Sequence, residues 1–165
     1  MRSYGLTNAI PWASAPAVGA AGDTYFNTTL KRLFVSDGTA WQPVDPQVVT
    51  TAWTNLTLLN SLVAYGAPFP APAYRKVGDS VECRGLVKNP TAGNIAAGTV
   101  MANLPAGFLP TGTLRFAVNG SPVNANSEGY MCVNVTSAGA MSTQFLIPAS
   151  NGFIFLDNVR FSVTA

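Results

Sequence analysis

Glycine and proline interrupt this chain so often that a long helix has no room to form. The 15 glycines and 12 prolines are spread from end to end. Glycine loses too much backbone freedom in a helix interior, and proline lacks the amide proton a helix needs. Between these breaks, no run keeps apolar residues at i, i+3, i+4 and i+7 with caps at both ends. What remains is a series of short β-branched and aromatic runs bounded by turn sequences. That is the pattern of an all-β sandwich or barrel.

The first segment, Met1 to Gly22, is rich in Ala, Pro and Gly and has no strand alternation. It is expected to be an extended arm. An arm has no core of its own, so Tyr4, Ile10, Pro11 and Trp12 are candidate assembly contacts, to be buried on a neighbouring subunit or partner. Asp23 to Val44 then reads as a small meander. Thr24-Tyr25-Phe26-Asn27 is a strand, Thr28 to Lys31 turns, and Arg32-Leu33-Phe34-Val35 returns. Ser36-Asp37-Gly38-Thr39 is a tight turn in which Gly38 can take a positive φ, and Trp41 opens a third strand. A meander this small needs packing from Trp41 and from outside itself, which adds Trp41 to the assembly contacts. Asp45-Pro46 marks a boundary, dividing 1–49 from 50–165.

The second unit is longer and more regular. Trp53 to Leu59 and Leu62 to Tyr65 are apolar runs, and Gly66 to Ala73 is a Pro-rich loop. Tyr74 to Val77 and Ser80 to Lys88 form two strands around a turn at Gly78-Asp79. In the longer one, Val81, Cys83, Gly85 and Val87 alternate with Glu82, Arg84, Leu86 and Lys88. Asn94 to Ala102 is extended, Leu104 to Pro110 is a rigid connector, and Leu114 to Val118 is a strand. Tyr130 to Thr136 and Met141 to Ile147 form a hairpin around Ser137-Ala138-Gly139. Gly152 to Leu156 and Val159 to Val163 close the unit. Roughly eight strands on this scale predict a jelly-roll-like antiparallel β-sandwich.

Charge narrows the function. Only 10% of residues are charged, against roughly 25% in a typical soluble domain. A surface of Ser, Thr, Asn, Gly and Ala suits a β-protein packed into a larger assembly. The net charge of +2 comes from 9 basic and 7 acidic residues. The basic ones are scattered, so no footprint for a nucleic-acid backbone appears. No segment reaches the ~18 consecutive apolar residues of a membrane span. Pro11, Pro16 and Thr7-Asn8 break up any signal-peptide core near the start, so this segment is read as mature chain. That reading predicts synthesis in the cytoplasm. Cys83 and Cys132 each sit in a strand-like run. Whether they pair depends on strands the sequence does not place.

The chain contains no histidine. Ser-His-Asp and Cys-His catalysis and the usual zinc sites therefore have no general base or ligand to use. No phosphate-cradling glycine loop is present, and no cofactor or metal is expected. The acids are Asp23, Asp37, Asp45, Asp79, Glu82, Glu128 and Asp157. A glycosidase would need two of them facing a sugar cleft; Asp79 and Glu82 bracket a turn, and their odd spacing puts them on opposite faces. We expect no enzymatic activity. Exposed aromatics can also stack on sugars. Trp12, Trp41, Trp53, Tyr65, Tyr74 and Tyr130 are candidates for that role, against core and interface filling. Tyr65, Tyr74 and Tyr130 are the candidate glycan contacts.

Two stretches carry a family likeness. Pro16 to Trp41 presents Gly22-Asp23, a Tyr25-Phe26 strand, an Asn27-Thr28-Thr29 turn, a Leu33-Phe34-Val35 strand, then Asp37-Gly38-Thr39-Ala40-Trp41. This resembles a β-unit of phage tail-fibre and virion surface proteins. The order of Leu58-Leu59-Asn60, Tyr74-Arg75-Lys76-Val77-Gly78, Val81 to Val87 and Leu104-Pro105-Ala106-Gly107-Phe108-Leu109-Pro110 is similar to C-terminal modules of phage minor tail proteins.

The resemblance implies a virion surface protein of a tailed bacteriophage, often a homotrimer, contacting other capsid or tail proteins and offering a β-sandwich to the outside. The sequence departs from a fibre in having no shaft, coiled coil or collagen triplets. A compact capsid decoration protein is the leading expectation. A receptor-binding minor tail or tail-fibre protein contacting a host-surface glycan is the alternative, and a tail-associated carbohydrate-active enzyme is the alternative of another class. A bacterial adhesin is disfavoured by the missing signal segment.

Overall fold

The computed structural model describes residues 10–44 and 48–163. The chain divides into two compact units, Met1–Val48 and Val49–Ala165, against an expected division after residue 49. Every regular element among the described residues is a strand.

The first unit is one sheet of four strands in sequence order: β1 (Ile10–Trp12), β2 (Thr24–Asn27), β3 (Arg32–Ser36) and β4 (Trp41–Pro43). The last three form the expected antiparallel meander. Over its described part the extended arm also joins this sheet as a strand. Ile10–Trp12 pairs in parallel with β2, Ile10 opposite Tyr25 and Trp12 opposite Asn27. The connection back to β2 is stitched to the sheet: Ser36 Oγ donates to Gly19 O at 2.9 Å, and Trp41 Nε1 donates to Pro16 O at 3.0 Å. Alternation gave no hint of β1 because a three-residue strand containing Pro11 is too short to show one. The unit's interior is aromatic. Tyr25 is buried, with Phe34 stacked at 5.1 Å and the Trp41 ring edge-on at 4.7 Å.

The second unit is a β-sandwich. Its strands are β5 (Thr54–Asn55), β6 (Val63–Ala64), β7 (Ala73–Val77), β8 (Ser80–Arg84), β9 (Leu86–Asn89), β10 (Val100–Asn103), β11 (Leu114–Gly120), β12 (Gly129–Val135), β13 (Ala140–Thr143), β14 (Gly152–Phe155) and β15 (Arg160–Ser162). One sheet has seven strands in the order β10-β13-β12-β11-β14-β9-β6, the other four in the order β15-β8-β7-β5. The sheets share one core. Val81, Cys83 and Phe161 enter it from the four-stranded sheet, Val87, Val118, Met131, Val133 and Ile154 from the seven-stranded one. Each fully buried aliphatic side chain of this kind contributes about 1.5–3 kcal/mol.

The run Ser80 to Lys88, expected as one strand, is two. β8 lies in the smaller sheet and β9 in the larger, and the chain crosses between them at Gly85. Gly85 has φ 97°, a conformation that L side chains rarely adopt. A Cβ there would lie 2.6 Å from Ala71 O and 2.7 Å from Pro72 N. The crossing also overturns the expected faces. Leu86 does not share an outer face with Glu82 and Arg84; it lies in the other sheet, fully buried.

Candidate functional site

The residues singled out from sequence do not converge. Tyr4 lies outside the described residues, as do the side chains of Ile10 and Pro11, whose backbone forms β1. Trp12 is 45% exposed, so its indole is available to a partner. Trp41 is held inside the first unit by its contact with Tyr25 and its bond to Pro16.

The three tyrosines occupy different surroundings. Tyr74 packs against the sandwich core, edge-on to Phe108 at 4.9 Å, which corrects its placement on an outer sugar-binding surface. Tyr65 and Tyr130 lie on the outer face of the seven-stranded sheet. Tyr130 is 81% exposed. Tyr65 joins an aromatic patch, edge-on to Phe69 at 5.4 Å and to Phe153 at 6.1 Å, with Lys88 Nζ 5.2 Å from its ring. Phe155 extends the patch against Phe69 and Phe153. The Pro-rich loop folds Phe69 over this face, so strand alternation alone could not find the cluster.

Both cysteines are free. Cys83 faces the core, where burial pushes its thiol up to about 12. Cys132 stands opposite Ala117 on β12, its neighbours Met131 and Val133 pointing into the core. Successive strand residues face opposite ways, so Cys132 points outward, away from Cys83. Among the described residues no three His, Cys, Asp or Glu side chains gather to hold a metal.

The most built polar site lies elsewhere, on the outer face of the four-stranded sheet. Val81 and Cys83 point inward, so Glu82 and Arg84 point outward. β7 sets Arg75 opposite Glu82, and β15 sets Arg160 on its other side. Glu82 is gripped from both: Arg75 Nη2 lies 2.9 Å and Arg75 Nε 3.0 Å from Oε2, and Arg160 Nη1 lies 3.2 Å from Oε1. Trp53, just before β5, brings its ring beneath two guanidiniums. The Arg75 carbon is 4.4 Å from the ring centroid and that of Arg84 4.3 Å.

These residues wall a cleft of about 370 Å³ lined by Trp53, Glu82, Cys83, Arg84, Asp157 and Arg160. Asp157 reaches it from the β14–β15 turn, where its Oδ1 accepts a long hydrogen bond from Gly85 N at 3.4 Å. Strand alternation placed Glu82 and Arg84 on one face. The partners were missed because their approach depends on pairing between strands far apart in sequence. The cleft sets two carboxylates, Glu82 and Asp157, among arginines and one indole, a lining that can hold a polar or charged ligand. In comparisons with known proteins, the chain matches no family model, no curated protein and no solved structure.

Proposed function

We propose that this chain is a non-enzymatic structural protein of a tailed-phage virion. It is made in the host cytoplasm, joins other capsid or tail proteins through its first unit, and presents the sandwich at the particle surface as a homotrimer. The observation that carries this reading is the segment from Gly22-Asp23 to Trp41. It resembles a phage surface-protein unit, and it forms a small sheet closed by Trp41 in a unit distinct from the sandwich. The low charge content supports an assembly role. The first unit also exposes Trp12, Val18 and Leu30, apolar residues that a partner could cover.

The aromatic patch around Tyr65 favours a second reading, a receptor-binding minor tail protein whose exposed face meets a host-surface glycan. Antibody labelling of intact particles tests both. Label over the whole capsid lattice supports a decoration protein, and a few copies at the tail support the receptor-binding reading. Unlabelled particles, with the purified chain a monomer by light scattering, would remove the virion reading altogether. Release of reducing ends from host polysaccharide by the purified protein would contradict the absence of enzymatic activity.

A further inference from the structure

Arg84 is the one arginine of the Trp53 cleft that has no carboxylate. Glu82 is engaged by Arg75 and Arg160, and among the described residues Arg84 makes neither an ion pair nor a hydrogen bond. Its Nε is out of contact with solvent and has no partner, while the guanidinium is held over the Trp53 ring. The guanidinium is fixed by cation–π contact in the cleft lining, and no described acceptor engages its terminal nitrogens, which leaves them open to an anionic ligand. From this geometry we infer that the cleft binds a carboxylate-bearing sugar of the uronic-acid class.

Charge selects the anion. In the lining, Arg84 and Arg160 balance Glu82 and Asp157, and Arg75, paired with Glu82 from outside the lining, gives the cluster one net positive charge. A singly charged carboxylate neutralises it, whereas a phosphate dianion would overcompensate beside two carboxylates. The planar fork of Arg84 matches a carboxylate in geometry as well.

Asp157 supplies the second determinant. Its side chain is exposed, and only one of its oxygens has a partner. The other can accept a hydroxyl proton from a ligand held at Arg84. A hydroxylated acid presents both groups together. The cleft's volume sits at the low end of the range for small-ligand sites, about 300–1,000 Å³. The inference needs only the second unit and stands apart from the virion reading.

Calorimetric titration of the full chain tests it, with glucuronic acid and a short polygalacturonate as probes. Glucose, inorganic phosphate and a Glu-rich peptide are the comparisons. We expect the uronates to bind at least about tenfold more tightly than glucose, and Arg84→Gln to remove that advantage. Asp157→Asn is expected to weaken uronate binding and strengthen phosphate binding. That opposite movement would not follow from a purely structural role. Tyr130→Ala, on the other sheet, should leave both affinities unchanged. Equal binding of glucose and glucuronate, tighter binding of phosphate or peptide, or no uronate binding up to roughly 10 mM would overturn the inference. If Arg84→Gln does not fold, Asp157→Asn, a change at an exposed position, decides the matter on its own.

Discussion

Asn89 is fully buried at the end of β9, yet every polar atom of its side chain is partnered. The two hydrogens of its Nδ2 are shared among Gly93 O at 2.8 Å, Pro148 O at 3.1 Å and Ile147 O at 3.2 Å. Its Oδ1 accepts from Thr91 N at 3.0 Å and Thr91 Oγ1 at 2.7 Å. One amide thus pins two loops to the sheet. Asn89→Asp keeps the shape and replaces the donor with an acceptor facing three carbonyls. A loss of about 2–4 kcal/mol is expected in urea unfolding at neutral pH. The loss should shrink toward about pH 4, because burial raises the new carboxyl's pKa and the protonated form can donate again. A loss that does not change with pH would mean that the amide donor is not what matters.

Asp37 has the opposite titration. The Gln42 amide, then the Thr39 hydroxyl and the backbone N–H groups of Thr39 and Ala40, hold its carboxyl well below the usual carboxylate range. A carboxyl depressed by folding stabilises the fold in full above its unfolded value of about 3.9. That contribution declines as pH falls below this value and is gone below the folded pKa. In an NMR titration, Asp37 should remain ionised at about pH 3, where an unperturbed aspartate has already protonated. A midpoint near 3.9 would show that the turn bonds do not form.

Single elements explain where sequence and structure part. β7, β11 and β12 were legible because each stays in one sheet and its alternation is unbroken. Two runs that read as continuous are not single strands. Ser80 to Lys88 changes sheets at Gly85. Trp53 to Leu59 also divides its backbone bonds: Leu56 N donates to Pro72 O beside β7, and Leu59 N to Met101 O of β10, each at 2.9 Å. Alternation reports which way a side chain points, not which sheet lies behind it, so a chain crossing from one layer to the other leaves no trace in it. The Trp53 cleft was half legible for the same reason. Glu82 and Arg84 shared a face by spacing, but Arg75, Arg160 and Trp53 joined them only through strand register. The crossing itself is testable. Gly85→Ala combines a positive φ with a clash against Ala71 and Pro72, and should cost about 3 kcal/mol or more. Gly98 also has a positive φ, 82°, but open space around its Cβ position. Gly98→Ala should cost only about 1 kcal/mol. Equal losses at the two sites would mean that the close passage over Ala71 does not constrain the fold.

The two units rest on interiors of very different size, and this sets how each should behave alone. The sandwich core runs from Leu56 to Phe161 and draws on no residue of the first unit. Its central side chains, among them Met131, Met141, Ile147 and Ile154, are fully buried. A fragment of residues 49–165 is expected to unfold in one cooperative step and to keep the Trp53 cleft. Within it, Ile154→Ala should lose about 2–5 kcal/mol through the cavity it leaves between the sheets. Among its described residues, the first unit has only the Tyr25, Phe34 and Trp41 rings and a few buried polar groups such as Asn27 and Ser36. A chain of this length with so little apolar interior is marginal without outside support. The fragment 1–48 should therefore show weak, non-cooperative thermal unfolding by circular dichroism, and gain a sharp transition only when a partner covers its exposed apolar residues. A sharp transition in the isolated fragment would mean that the small sheet is self-sufficient, and would weaken the attachment role given to it. Failure of 49–165 to fold would mean that the sandwich needs the first unit despite a core that does not include it.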